Sequence, residues 1–219
     1  DFCLSRGLGD VYKRQLTSHF LDAVDPQVAA AIDDVSHAMA ACGAEVGTIE
    51  LPLMRFAGAA QWATLTAEAF EAHADLLHAD PDRIPEDVRI RLEMGMFVSA
   101  ADYVRAQRLR HALVNELDRL FEEVDVILTP TLAMPVPQAD ATIVEVAGAR
   151  WPLTAAMSRL TNPFNVTGFP ALSLPWGRDQ SDVPRGIQLA AAPMDEIALL
   201  GTARVLERYR VNTPTAART

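Results

Sequence analysis

The chain has 219 residues, half of them hydrophobic, with 19 Lys+Arg against 29 Asp+Glu and a net charge of −10. This apolar share supports a large core and excludes global disorder, and the length allows one domain or at most two. The acidic balance excludes a dedicated nucleic-acid binder, because neutralising phosphates takes clustered Lys and Arg, and no apolar run reaches the ~20 residues of a membrane helix.

The first fifteen residues, DFCLSRGLGDVYKRQ, stand apart from the rest. They lack the long apolar stretch of a signal peptide. Gly7-Leu8-Gly9 is a lone G-x-G with no third glycine at the spacing of a nucleotide loop. Ser5 to Gln15 instead resembles translated sequencing adapter, and Asp10 to Gln15 matches a transposon end. Residues 1–15 are therefore set aside as a non-native segment, and the native protein is expected to extend upstream of Leu16. The segment carries three basic and two acidic residues, so its removal leaves −11 over 204 residues. It also leaves Cys42 as the single cysteine, which fits a reducing, cytoplasmic compartment.

Asp25 to Cys42 reads as a helix, with Asp25 as N-cap, Pro26 at N1 and Gly43 at C′. Val28, Ile32, Val35, Met39 and Cys42 form its inner face. Glu45 to Leu51 reads as a short strand. Phe56 to Ala79 is helical and Ala-rich until Asp80-Pro81 breaks it. A short helix follows over Glu86 to Met94. Ser99 to Asp102 resembles a capping box, with Asp in the usual Glu position. The helix it opens runs to about Glu123, with Tyr103, Ala106, Leu113, Leu117, Leu120 and Val124 as its inner stripe. Asp125 to Thr129 then suits a buried strand. Prolines make Thr131 to Trp151 loop or hairpin. Ala171 to Leu174 and Gly186 to Ala190 are strands around a polar turn. The last helix starts at Met194-Asp195-Glu196, with Ile197, Leu200, Ala203, Leu206 and Tyr209 on its inner face. The elements sum to an α/β fold in one domain over residues 16–211, and residues 212–219 read as a frayed tail.

The usual chemical motifs are missing. There is no P-loop, no G-x-S-x-G elbow and no H-E-x-x-H. His73 and His78 are five apart and fall on different helix faces. Asp33-Asp34 and Glu122-Glu123 are adjacent pairs that point apart, so neither makes an acid–base dyad. Cys42 has no activating cation near it in sequence and reads as inert core. No metal site is indicated. On composition and spacing alone, the sequence describes an acidic α/β domain.

Two stretches carry a resemblance. Thr161 to Gly177 reads TNPFNVTGFPALSLPWG, and Pro184 to Glu207 reads PRGIQLAAAPMDEIALLGTARVLE. Together they resemble the C-terminal region of the amidase signature family. That family shows Thr-x-Pro-x-Asn-x-x-Gly-x-Pro-Ala-x-Ser-x-Pro, then a Pro-x-Gly-x-Gln strand, then a helix opening Asp-Glu. Val124 to Thr131 is similar to its preceding strand. Pro85 to Gly95 and Ser99 to Arg110 are similar to its V-x-x-R-x-x-x-G and Y-x-x-A-x-x-x-R helices. The resemblance runs from about Pro26 to Tyr209.

It implies the C-terminal part of an amidase signature fold, a mixed β-sheet covered by helices. It implies an amidohydrolase that turns a small carboxamide into acid and ammonia through an acyl-serine. The family's nucleophilic Ser, bridging Ser and Lys base would lie upstream, since the only lysine here is Lys13. The fragment alone is therefore expected to be inactive, and no metal or organic cofactor is implied. In the family's amidotransferase subunits, an Arg in the V-x-x-R helix and an Asp before the Thr-x-Pro run hold an α-amino acid head. Arg91 matches the first, as a substrate contact or as a surface arginine. Ser158 falls at the acidic position, and a neutral hydroxyl cannot pair an ammonium as a carboxylate does. This departure disfavours an amidotransferase subunit and favours a general small-amide hydrolase, of the kind acting on ureido or aryl amides. Asn165 of the Thr-x-Pro-x-Asn run is the third candidate contact; with Thr167 it can instead serve turn chemistry in a rigid loop leading to a buried strand. A non-catalytic binding or assembly module is the alternative from another class. A small-molecule amide is the expected partner, with neither nucleic acid nor membrane, and the helices leave room for a homodimer.

Overall fold

The computed structural model describes residues 12–16, 19–179 and 181–212. Five strands form a mixed sheet in the order β2-β1-β3-β7-β6. They are β1 (Tyr12–Leu16), β2 (Glu45–Ile49), β3 (Val126–Pro130), β6 (Ala171–Arg178) and β7 (Pro184–Ala190). β1 pairs in parallel with β2 and β3, whereas β7 pairs antiparallel with β3 and β6. β4 (Ile143–Val146) and β5 (Ala149–Pro152) form a separate hairpin, turning at Ala147 and Gly148, both with positive φ. That hairpin lies inside the proline-rich stretch expected to be loop or hairpin.

β1 falls in the segment that the sequence reading set aside. Ladder bonds use backbone groups alone, so the residue types of Tyr12 to Gln15 do not prevent the pairing. Residues 1–11 and 213–219, including most of the expected frayed tail, lie outside the described residues.

Two helical layers cover the sheet. On one face pack α1 (Pro26–Ala41) and α8 (Glu196–Asn212), closing a core of Ile32, Val35, Met39, Val126, Leu128, Ile187, Leu189 and Leu206. On the other pack α2 (Ala57–Ala72), α5 (Ala100–Phe121), α6 (Leu153–Ser158) and α7 (Asn162–Thr167), over Leu113, Leu117, Ile127, Leu160 and Phe164. β3 divides its side chains between them: Val126 and Leu128 point one way, Ile127 the other. All five of its residues are buried, as expected of the Asp125–Thr129 run.

The capping signals are realised. The Asp25 carboxylate accepts from Gln27 N at 2.8 Å, and the Ser99 hydroxyl accepts from Asp102 N at 3.1 Å. The Asp102 carboxylate turns back onto Ser99. It accepts from the Ser99 hydroxyl at 2.6 Å, and that bond is the main cause that holds its pKa below the usual value. The Ser99 backbone N–H adds to the lowering.

Three expectations are corrected. The helix expected over Phe56 to Ala79 breaks at His73 into α2 and α3 (Ala74–Ala79). There the His73 ring Nδ1 donates to Ala69 O at 2.8 Å and the backbone leaves helical geometry. The inner stripe of α8 departs only in its first turn: Ala203 and Leu206 are buried and Tyr209 packs against the core as expected, but Ile197 and Leu200 are 86% and 59% exposed and Leu199 is buried in their place. The face that meets the sheet begins at Leu199, which leaves Ile197 and Leu200 on the exposed side. Finally, TNPFNVTG is not a loop. Asn162–Thr167 is a short helix with Pro163 in its first turn and Gly168 at φ +82° as its left-handed cap. The strand it feeds, β6, is an edge strand: Leu174 is buried, while Ala171, Ser173 and Pro175 are exposed.

Candidate functional site

The sheet face under α6 and α7 is polar at one end. Thr129, Gln188 and Ser173 lie in register across β3, β7 and β6. Gln188 is buried, and its Nε2 donates to Thr129 Oγ1 at 3.0 Å and to Leu160 O at 3.2 Å. It therefore ties the sheet to the α6–α7 junction. One step along, the Thr131 and Ser173 hydroxyls meet at 2.8 Å across Gly186. A Cβ on Gly186 would lie 2.9 Å from Thr131 Oγ1 and 3.2 Å from Ser173 Oγ. The Pro-x-Gly-x-Gln run thus has a physical content: its glycine admits a hydroxyl pair, and its glutamine anchors a neighbouring segment.

Ser158 ends α6. Its hydroxyl donates to Thr154 O at 3.0 Å and accepts from Asn162 Nδ2 at 3.4 Å. Asn165 is exposed on α7. Thr167 does the turn chemistry, donating its hydroxyl to Pro163 O at 2.6 Å. Arg91 lies on α4 (Glu86–Glu93), 58% exposed, with Nη2 donating to Asp87 Oδ2 at 2.6 Å and Nε to Asp87 O at 2.9 Å. Among the described residues, no hydrogen bond joins Arg91 to Ser158 or Asn165. The structure therefore brings Ser158 and Asn165 onto one segment and leaves Arg91 on a different helix.

Arginines hold that segment. Arg110 of α5 donates from Nε to Val166 O at 2.7 Å. Arg159 donates from Nη1 to Ala23 O at 2.6 Å and from Nη2 to His19 O. Burial lowers the Arg159 pKa, and the nearby Asp22 carboxylate opposes that. Burial also lowers the His19 pKa, and the Arg159 charge adds to the effect. His19 therefore favours its neutral form beside this segment.

The helices bearing the family-like motifs are fastened by those same motif residues. Tyr103 of α5 donates its hydroxyl to Glu68 Oε1 at 2.8 Å, and this bond raises the phenol pKa. Gly95 sits so close to α2 that a Cβ would meet Phe70 Cβ and Thr66 O at 2.3 Å.

Sequence reasoning named none of Thr131, Ser173, Gln188, Arg110 or Arg159 as a site residue, although Ser173, Gln188 and Arg110 are fixed positions of the motifs that carry the resemblance. The available signals were those motif positions, and a glycine and a glutamine inside an apolar strand. The hydroxyls of Ser158, Thr131 and Ser173 bond to Thr154, to Asn162 or to one another, and none to a histidine or lysine. This wall can therefore bind and orient a polar ligand but does not activate a nucleophile. Among the described residues, no three metal-ligating side chains cluster, and no helix is long and apolar enough to cross a membrane. An open groove of ≈ 570 Å³ lies apart from Ser158, Asn165 and Arg91, beside β4, lined by Met134, Pro135, Thr142 and Arg150 among others.

A mixed sheet between two helical layers agrees with the mixed α/β fold that the motifs resemble. The model of the amidase family matches residues 15–200, and the chain belongs to that family. It is 30% identical over 197 residues to an amidase of Pseudomonas putida, covering 87% of this chain and 41% of that protein. It is 29% identical over 205 residues to the 1-carboxybiuret hydrolase subunit AtzE of Pseudomonas sp. (strain ADP), covering 93% of this chain and 44% of that protein. A solved amidase crystal structure superposes with a TM-score of 0.83 at 27% identity, over 91% of this chain and 46% of that one. The chain thus spans less than half the length of these relatives.

Proposed function

We propose that this chain is the C-terminal part of an amidohydrolase that splits a small carboxamide into acid and ammonia through an acyl-serine. The carrying observation is a fold match over 91% of this chain but only 46% of an amidase, with 0.83 as its TM-score. The unmatched half of such a relative is where the nucleophilic Ser, the bridging Ser and the Lys base would reside. This half supplies the wall: α6 and α7 present Ser158 and Asn165 to the substrate, and Arg91 reaches it from α4 once Asp87 releases it. The neutral hydroxyl of Ser158 favours uncharged amides over an α-ammonium head, and the likeness to a 1-carboxybiuret hydrolase subunit supports a ureido-type carboxamide.

We also infer that residues 1–15 are adapter-derived. β1 lies between β2 and β3 in parallel pairing, where strands are ordinarily rich in Val, Ile and Leu. Tyr12-Lys13-Arg14-Gln15 is a polar sequence for that place. The genomic locus should encode a different, apolar run before Leu16; the same YKRQ in genomic DNA would refute the inference.

The function is tested by ammonia release from aryl, aliphatic and ureido carboxamides. The enzyme encoded by the full locus should hydrolyse at least one of them, and the 219-residue chain alone none. A full-length enzyme inert on every amide, or an active fragment, would overturn the proposal.

A further inference from the structure

We infer that Arg110 and Arg159 are positioning residues that clamp the α6–α7 wall, Arg159 at the junction of the two helices and Arg110 at the end of α7; the inference rests on the amidase reading above. α6 and α7 have six residues each, far below the ~12–15 at which a helix holds itself together in water. Something outside them must fix their geometry. Gln188 contributes in the middle, through Leu160 O. Arg159 contributes beside it at the junction, and Arg110 at the end of α7.

Arg110 grips the far end. Its Nε bond to Val166 O satisfies a carbonyl in the last turn of α7, just before the Gly168 cap. Arg159 grips the junction, immediately after Ser158 at the end of α6. Its fork spans two backbone carbonyls, those of Ala23 and His19, on the loop that enters α1. The contact is reciprocal, because the His19 ring Nε2 lies 3.4 Å from Arg159 O and can donate to it. Phe20 of the same loop stacks on Phe164 of α7, with ring centroids 5.8 Å apart. The Arg159 guanidinium also lies over the Trp151 ring, 5.8 Å from its centroid.

Both cations thus donate to peptide carbonyls, which makes each bond charge-assisted while leaving backbone rather than side-chain geometry as what is fixed. Ser158, Asn162 and Asn165 lie at or between the two grips. Loosening either grip should blur their placement without touching the reacting atoms.

The two arginines differ in how they can be replaced. Arg110 uses one N–H, which a lysine can supply. Arg159 uses a planar fork on two acceptors, which a lysine cannot reproduce.

The test uses the full-length enzyme with Arg110→Ala, Arg110→Lys, Arg159→Ala and Arg159→Lys. Amide hydrogen exchange over residues 158–168 reads the clamp, and KM and kcat on a carboxamide read its consequence. Losing one charge-assisted bond should cut protection there by about ten- to hundredfold. KM should rise on the order of tenfold in both alanine variants, with kcat changed less. Lysine should restore the wild-type values at 110 but not at 159. Unchanged protection would overturn the inference, as would lost protection with an unchanged KM. If an alanine variant does not fold, the opposite behaviour of the two lysine variants decides. A wild-type enzyme inert on all amides would refute the amidase reading instead, and the exchange pattern alone would then uphold or reject the clamp.

Discussion

Gly186 lies so close beneath Thr131 that a Cβ there would stand 2.9 Å from the Thr131 hydroxyl and 3.0 Å from its Cβ. Thr131 is β-branched and its hydroxyl is engaged with Ser173 at 2.8 Å, so it has little freedom to retreat. Gly186→Ala should therefore destabilise the folded enzyme by about 1–3 kcal/mol, the usual cost of overpacking. Denaturant unfolding measures this. Adding Thr131→Ala should recover part of the loss, because it removes the nearest obstructing atom. Equal stability of Gly186→Ala and wild type would show that the strand relaxes freely.

Gly95 is the more severe case. Its added Cβ would meet Phe70 Cβ and the Thr66 backbone carbonyl at 2.3 Å, and a backbone atom in a 16-residue helix cannot step aside. Gly95→Ala should cost about 3 kcal/mol or more and push the turn after α4 away from α2. Thermal unfolding would register it as a clear drop in Tm. A drop smaller than that of Gly186→Ala would contradict the packing described.

These two glycines also show what a sequence can and cannot disclose. Helix starts were legible because capping is local: Asp25 and Ser99 bond to amides two and three residues on. β3 was legible because its residues are apolar on both faces. The first turn of α8 was not, since which residue first meets the sheet depends on where the sheet lies. α7 was not, because a six-residue helix carries too few positions for a period to appear, and it is held by Arg110, 56 residues away. The wall residues escaped for the same reason. Gln188, Thr131 and Ser173 gain their meaning from partners tens of residues distant, and spacing along the chain does not record them.

Arg91 is the candidate whose surroundings speak most directly to its test. Its pair with Asp87 is an exposed i,i+4 contact, worth only about 0.3–0.5 kcal/mol. Arg91→Ala should leave Tm nearly unchanged. If Arg91 contacts substrate, KM in the full-length enzyme should rise by roughly tenfold, as the loss of one charge-assisted bond implies. An unchanged KM would assign Arg91 to the surface ion pair alone.

Glu116 makes a prediction about pH. It lies on α5, and its Oε1 accepts from Leu53 N at 3.2 Å, while its Oε2 is buried without a partner. Burial raises its pKa above the ordinary 4.5, and the Leu53 bond and the Arg119 charge only partly oppose this. A carboxyl whose folded pKa is raised is held more tightly protonated in the folded state. Its favourable contribution is complete below pH 4.5 and is lost as pH rises through the folded value. At neutral pH, therefore, the ionised group detracts from stability. Glu116→Gln keeps an acceptor for Leu53 N and removes the charge. It should raise stability at neutral pH by less than about 1 kcal/mol, because partial exposure screens the effect. The gain should vanish at acidic pH. Denaturation midpoints across that range, wild type against variant, give the comparison; a gain that persisted or grew on acidification would refute the assignment.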